Sequence, residues 1–210
     1  SYEATLNHQT FLENGSEIST GLLKCGNKVL HSQIPPAVFA TAHDHDLAWA
    51  VGFIVGDGCA QKHGAIRVTG TDLNMLQRVA SIFHAKFGWR ARTATFGPGK
   101  FSGSTKPVWH IEITGTDGWG EWLRQNVYTV HRHEKRIPDW ILNADSATQL
   151  AFLDGYYAAD GRQAGDEAYK YKGWTTSSAT LALGLSYIAH TCLKQTPKVK
   201  VTLRDGRRYY

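Results

Sequence analysis

The chain has 210 residues, and its 42% hydrophobic and 20% charged content excludes a disordered or fibrous class and leaves one large globular domain, or one domain with a fragment beside it. A formal charge of +5 permits an anionic partner such as nucleic acid. The odd count of three cysteines (Cys25, Cys59, Cys192), the lack of a membrane-length apolar run and the lack of an opening signal peptide point to reduced thiols, no membrane span and an intracellular protein.

Residues 1–36 form a piece of their own style. Thr10 to Leu12 is a short strand candidate, Asn14-Gly15 is a turn signal, and Pro35-Pro36 closes the segment. Its scattered apolar residues (Ile18, Leu22, Leu23, Val29, Leu30) are too few for a core of its own. Thr5-Leu6-Asn7-His8 matches a Thr-x-x-His pattern. Leu23 to Val29 resembles a Leu-x-x-Gly-Asp-x-Val run, with Asn27 where aspartate is usual. On these residues the segment resembles part of an intein splicing domain of the Hint type. The resemblance implies that Thr5 and His8 activate a scissile peptide bond at an N-terminal splice junction. The rest of such a domain is expected to be missing.

Residues 37–210 are expected to form the second and larger domain. Residues 37–46 are a linker ending in His43-Asp44-His45-Asp46, which reads as a solvated helix start with Asp44 or Asp46 as N-cap. The helix that follows ends in Ala50-Val51-Gly52-Phe53-Ile54-Val55-Gly56-Asp57-Gly58. Small residues recur every fourth position at Ala48, Gly52 and Gly56, which places them on one helical face where another backbone can approach closely. The Asp-Gly ending predicts a helix C-terminus with the glycine left-handed.

A hairpin is predicted over Gln61 to Thr69, carrying Lys62, His63 and Arg67. Thr71 or Asp72 then caps an amphipathic helix to Phe87, ended by Gly88. Trp89 to Thr95 and Val108 to Thr114 alternate as strands, the first with Arg90 and Arg92 on one face. The loop between them carries Lys100 and Lys106. A helix around Trp119 to Gln125 follows, then His131 to Pro138 and a short helix near Asp139 to Leu142.

From Ala147 the order begins again. Leu153-Asp154-Gly155-Tyr156-Tyr157-Ala158-Ala159-Asp160-Gly161 repeats the first stretch, with small residues at Ala151, Gly155 and Ala159. The two aspartates lie roughly a hundred residues apart, the span of one domain. A basic hairpin region (Arg162, Lys170, Lys172), a helix from Ser178 to Lys194 capped by Ser177 or Ser178, and a basic strand Lys198 to Arg204 turning at Asp205-Gly206 follow. The second half is expected to lack its last strands, its last helix and a lysine matching Lys135.

If the two small-residue stripes pack as parallel helices, Asp57 and Asp160 meet at one edge. Helix C-termini are already negative, and two carboxylates 4 Å apart repel by about 4 kcal/mol at an effective dielectric of 20. A divalent cation is the natural compensation, and Mg²⁺ suits one or two carboxylates with water and phosphate oxygens. The paired stretches resemble the motifs of the LAGLIDADG homing endonucleases, and Lys135-Arg136-Ile137-Pro138 resembles that family's Lys-x-Ile-Pro segment.

That resemblance implies an α+β fold of two pseudo-symmetric αββαββα halves, about 44–144 and about 145–210, the second incomplete, with saddle-shaped antiparallel sheets. It implies a monomer that cuts both strands of a long, asymmetric double-stranded DNA site, leaving 3′ overhangs. It makes Asp57 and Asp160 ligands to Mg²⁺ (or Mn²⁺) with the carbonyls of Gly56 and Ala159, and Lys135 the catalytic lysine. Arg67, Arg90, Arg92, Lys100, Lys172, Lys200 and Arg204 become DNA contacts. The competing reading is a cleavage-inactive DNA-binding or splicing-associated module of the same fold.

Overall fold

The structure is a computed structural model. It describes residues 7, 9–14, 16–29, 41–97, 105–128, 134–161, 171, 173–195, 197–204 and 206–210. Thr5, His8, Lys100 and Lys172, together with Arg162 and Lys170, fall outside the described residues. The chain divides into two compact units, Ser1–Pro35 and Pro36–Tyr210.

In the first unit, strand β1 (Gln9–Phe11) pairs antiparallel with β2 (Glu17–Ser19), Thr10 opposite Ile18. Asn14 makes the turn by accepting from the Ser16 backbone N–H at 3.0 Å, a local bond that asparagine supplies readily. A 3-10 turn, Thr20–Leu22, follows. None of this unit's described residues is buried, as its sparse apolar content predicts.

The second unit is α+β with antiparallel sheet. Helix α1 (His45–Asp57) is capped by Asp44, which accepts from Leu47 N–H at 2.9 Å. The neighbouring charges are paired, Asp44 with Lys86 and Asp46 with Arg78 at 3.8 Å. Strands β3 (Gly58–Ala60) and β4 (Ile66–Gly70) follow, then α2 (Leu73–Phe87), capped by Asp72 and ended by a left-handed Gly88. Strands β5 (Arg90–Phe96) and β6 (Val108–Thr114) and helix α3 (Trp119–Asn126) complete an αββαββα order. The four strands form one sheet, β3-β4-β6-β5, antiparallel throughout. One face (Ile66, Val68, Ile111, Ile113) is buried with Leu76, Val79 and Phe83 of α2. The other carries the polar residues of the same strands, as alternation requires.

A short helix α4 (Asp139–Leu142) leads to α5 (Ser146–Asp160), capped by Asp145, and α6 (Ala179–Leu193) is capped by Ser178. The chain closes in a hairpin, β7 (Thr202–Arg204) with β8 (Arg207–Tyr209). The strand expected from Lys198 to Arg204 is thus shorter than its alternation predicts. Val199 and Val201 alternate correctly but stay 55% exposed, because only Thr202 to Arg204 find a paired strand among the described residues.

Helices α1 and α5 form the centre. A Cβ on Gly52 would lie 2.1 Å from the Phe152 carbonyl oxygen, and one on Gly155 would lie 1.9 Å from that of Trp49. Farther along, a Cβ on Gly56 would meet the Ala159 Cβ at 2.5 Å. Contacts advance along both helices in the same direction, so the helices run parallel with backbones touching. Trp49, Val51, Phe53, Ile54, Phe152, Leu153 and Tyr156 fill the remaining faces and are all buried. The glycines after the two aspartates are not left-handed as expected. Gly58 (φ −106°) and Gly161 (φ −73°) are extended. They are needed for space instead: a Cβ would sit 2.6 Å from the Ile54 carbonyl oxygen at Gly58 and 2.3 Å from that of Tyr157 at Gly161.

Replacing Gly155 with alanine forces the two backbones apart and should lower unfolding free energy by about 1–3 kcal/mol or more. Gly97→Ala, with nothing within 4 Å, should change it little. Urea unfolding of both variants measures the difference, and equal effects would contradict the close packing.

Candidate active site

Because α1 and α5 are parallel and in step, their last residues, Asp57 and Asp160, finish at the same end. Helix ends leave their final carbonyls without intrahelical partners and carry partial negative charge. Lys135 answers both problems on the α1 side. It lies on the segment before α4, and its Nζ donates to the Val55 and Gly56 carbonyl oxygens at 2.7 Å each. The segment is fixed by Ser178 Oγ, which donates to the Lys135 carbonyl at 2.5 Å, and by Ile137, 2% exposed and packed against Gly184. An isolated Tyr128–Lys135 bridge holds it from the other side.

The electrostatics follow from burial. Desolvation, then the charge of Asp160, pushes the Asp57 carboxyl up to about 7, with Lys135 pulling the other way. Burial also raises Asp160, again opposed by Lys135. Burial lowers Lys135, and Asp160 and Asp57 offset this in part. A partly buried carboxylate (Asp57), a more exposed one (Asp160) and one ammonium therefore share the edge and act on one another. Such a site favours added positive charge. The oxygen donors present (two carboxylates and helix-terminal carbonyls) are hard ligands suited to Mg²⁺ or Mn²⁺ rather than to a thiophilic metal. The Gly56 carbonyl already accepts from Lys135, so a cation using it would share it with the ammonium or displace it. The Ala159 carbonyl is among the last of α5, where the helix itself supplies no partner.

Beside the aspartates, Gly58, Cys59, Gln61, Lys62, Arg124, Tyr128 and Lys135 help line a cavity of about 640 Å³. Tyr128 Oη donates to the Gly58 carbonyl at 3.0 Å, and burial raises its phenol. Arg124 donates to the Gln61 carbonyl and pairs with Glu121, which fixes the β3–β4 turn. Sequence reasoning passed over Tyr128 and Arg124. A tyrosine and an arginine around a helix end carry no local signal for a contact made to residues far earlier in the chain.

The remaining expected DNA contacts divide. Arg67, Arg90 and Arg92 lie on the polar face of the four-stranded sheet, with Arg67 bound to Glu112 at 2.7 Å. Lys200 and Arg204 line a separate cavity of about 370 Å³ beside α6, with Tyr171, Trp174 and Tyr209. The described residues hold no cluster of three or more His, Cys, Asp or Glu side chains able to take a metal by themselves, so backbone oxygens and water must complete any coordination here. Among the described residues no helix is long and apolar enough to cross a membrane.

No protein-family model matches the chain. In an alignment 202 positions long that covers 87% of the chain, it is 26% identical to the replicative DNA helicase DnaB of Rhodothermus marinus. The match spans 20% of that protein, so the chain corresponds to about a fifth of its curated relative. Among solved structures it is similar to the homing endonuclease I-WcaI bound to its DNA recognition sequence, over 81% of this chain and 76% of that one, with a TM-score of 0.49 and 13% identity.

Asp57 sets a pH dependence. Its unfolded-state value is near 3.9, and its folded value is about 7. Between these the folded state holds a proton that the unfolded state has lost, so stability falls as pH rises through that window. Asp57→Asn should therefore match wild type in melting temperature near pH 4, without divalent cation, and exceed it increasingly toward pH 8. Parallel curves would contradict the burial of this carboxylate.

Proposed function

We propose that this chain is a site-specific, metal-dependent DNA endonuclease of the LAGLIDADG type, carried within an intein. The observation that carries the reading is the convergence of Asp57 and Asp160 at one end of a parallel, glycine-faced helix pair, with the Lys135 ammonium bound to the last carbonyls of α1. Paired carboxylates of this kind suit phosphodiester hydrolysis. When bound, a divalent cation supplies an activated water and positive charge at the leaving oxygen.

The chain's own groups divide the rest of the work. Asp57 and Asp160 hold the cation, with the Gly56 and Ala159 carbonyls within the same helix ends. The α1–α5 backbone contact fixes the carboxylate spacing, because neither helix can slide without a clash. Lys135 stabilises charge that develops on the phosphate, and the carbonyls of Val55 and Gly56 hold its ammonium on that side. The adjacent cavity carries the Lys62 and Lys135 ammonium groups on its lining and suits the sugar–phosphate backbone. The basic sheet face and the β7–β8 hairpin supply DNA contacts along the two arms of a long site, with a single chain acting as monomer.

The intein context rests on the splicing-like pattern at Thr5 and His8 and on the share of the helicase that is matched. A segment similar to only a fifth of a replicative helicase fits a guest carried inside a host chain. The same context points to a DNA target: the helicase gene of the chain's own source with the segment's coding sequence removed.

The test is incubation of that uninterrupted duplex with protein in Mg²⁺ and, separately, in EDTA. A single metal-dependent double-strand cut with 3′ overhangs is expected. Asp57→Asn and Asp160→Asn each remove several kcal/mol of charge stabilisation and should slow cutting by roughly a hundredfold or more, while leaving DNA affinity nearly intact. Binding without cutting in wild type would replace this reading with a cleavage-inactive DNA-binding module.

A further inference from the structure

The polar face of the four-stranded sheet carries one feature that backbone binding does not explain. Pairing places Cys59, Arg67, Glu112 and Arg92 in one row across β3, β4, β6 and β5. His110, in the next row, adds a further imidazole, and Arg90 adds a third guanidinium. Within this basic row Glu112 is an acid. Its side chain is 27% exposed, that of Arg67 37%. Arg67 Nη2 donates to Glu112 Oε2 at 2.7 Å, and His63 Nε2 lies 3.8 Å from Oε1. The hydrogen bond from Arg67, above all, keeps Glu112 ionised well below the usual carboxylate range.

A carboxylate on a surface that only grips phosphates is a defect, since it repels them. It becomes useful where it meets a donor. In the major groove the donors are the amino groups of cytosine and adenine. The Arg67–Glu112 pair sets a donor beside an acceptor at hydrogen-bond distance. A G·C pair shows the complementary edge: guanine O6 accepts while the cytosine amino group beside it donates, the two joined by a hydrogen bond of about 2.9 Å. The protein pair and the base pair can therefore lie edge to edge with every donor facing an acceptor.

We infer that Arg67 and Glu112 together read one G·C base pair, the guanine facing Arg67 and the cytosine amino group facing Glu112. The inference rests on the DNA-endonuclease reading of the chain and adds to it a base and an orientation. T·A presents acceptor and donor in the same order but offers a methyl group where guanine has N7, and ranks second. The reversed pairs, C·G and A·T, set donor against donor and acceptor against acceptor.

The test is selection of bound duplexes from a randomised pool by the full chain in EDTA at one fixed salt concentration. Wild type is compared with the charge-conserving exchange R67E/E112R and with E112Q, each checked for folding by circular dichroism. Wild type should show one position where G·C is preferred over C·G by roughly ten- to a hundredfold. The exchange should invert the preference at that position and leave the other positions unchanged, and E112Q should relax it there alone. Unchanged preferences in a folded exchange variant, or uniform weakening across all sequences, would overturn the inference and leave the endonuclease reading standing. If the exchange variant does not fold, an unrelaxed E112Q profile overturns it equally. Enrichment of no DNA by wild type would overturn both.

Discussion

Contact between two helix backbones governs this structure. Gly52 and Gly155 each leave room for a carbonyl oxygen of the opposite helix at a distance no side chain permits. Burying that seam demands apolar residues around it, and the chain supplies them in Trp49, Phe53, Phe152 and Tyr156. Because the helices run parallel and in step, the same contact that forms the core brings two helix C-termini and two carboxylates together. The core and the site are therefore one construction, and a change that loosens the first misplaces the second.

That construction concentrates negative charge where solvent is partly excluded. Asp57 responds with an acidity far weaker than that of a free aspartate, and Asp160 moves the same way. Lys135 is the internal counter-charge. Its bonds to the Val55 and Gly56 carbonyls place it at the α1 end, so the two halves of the site are unequal. One helix end is satisfied by an ammonium from its own chain. Sites with strained electrostatics of this kind are where chemistry is expected, since the unfavourable terms ease when a cation or a substrate arrives.

Much of this was legible in the sequence because it is local. The four-residue period of small side chains marks the helix seam without any knowledge of its partner, and its recurrence supplies the partner. Asp44, Asp72 and Ser178 announce their helices through capping chemistry that acts over three residues. What the sequence hid is what depends on distant partners. Alternation assigns Arg67 and Glu112 each to a strand face, but only register sets them opposite one another, and register is decided across the sheet. Alternation also overextends Lys198 to Arg204, since a strand needs a neighbour as well as a pattern. The glycines at 58 and 161 were expected to adopt a left-handed backbone, yet they answer a steric demand made by the preceding helical turn.

The central claim is that Asp57 and Asp160 form one cation-binding edge. The most direct measurement is titration of Mn²⁺ into the protein at pH 8, followed by the loss of the free-ion electron paramagnetic resonance signal. The account predicts saturable binding that survives Arg90→Ala, weakens in Asp57→Asn and in Asp160→Asn, and disappears in the double variant. Binding of equal strength in the folded double variant, or no saturable binding by wild type, would contradict it.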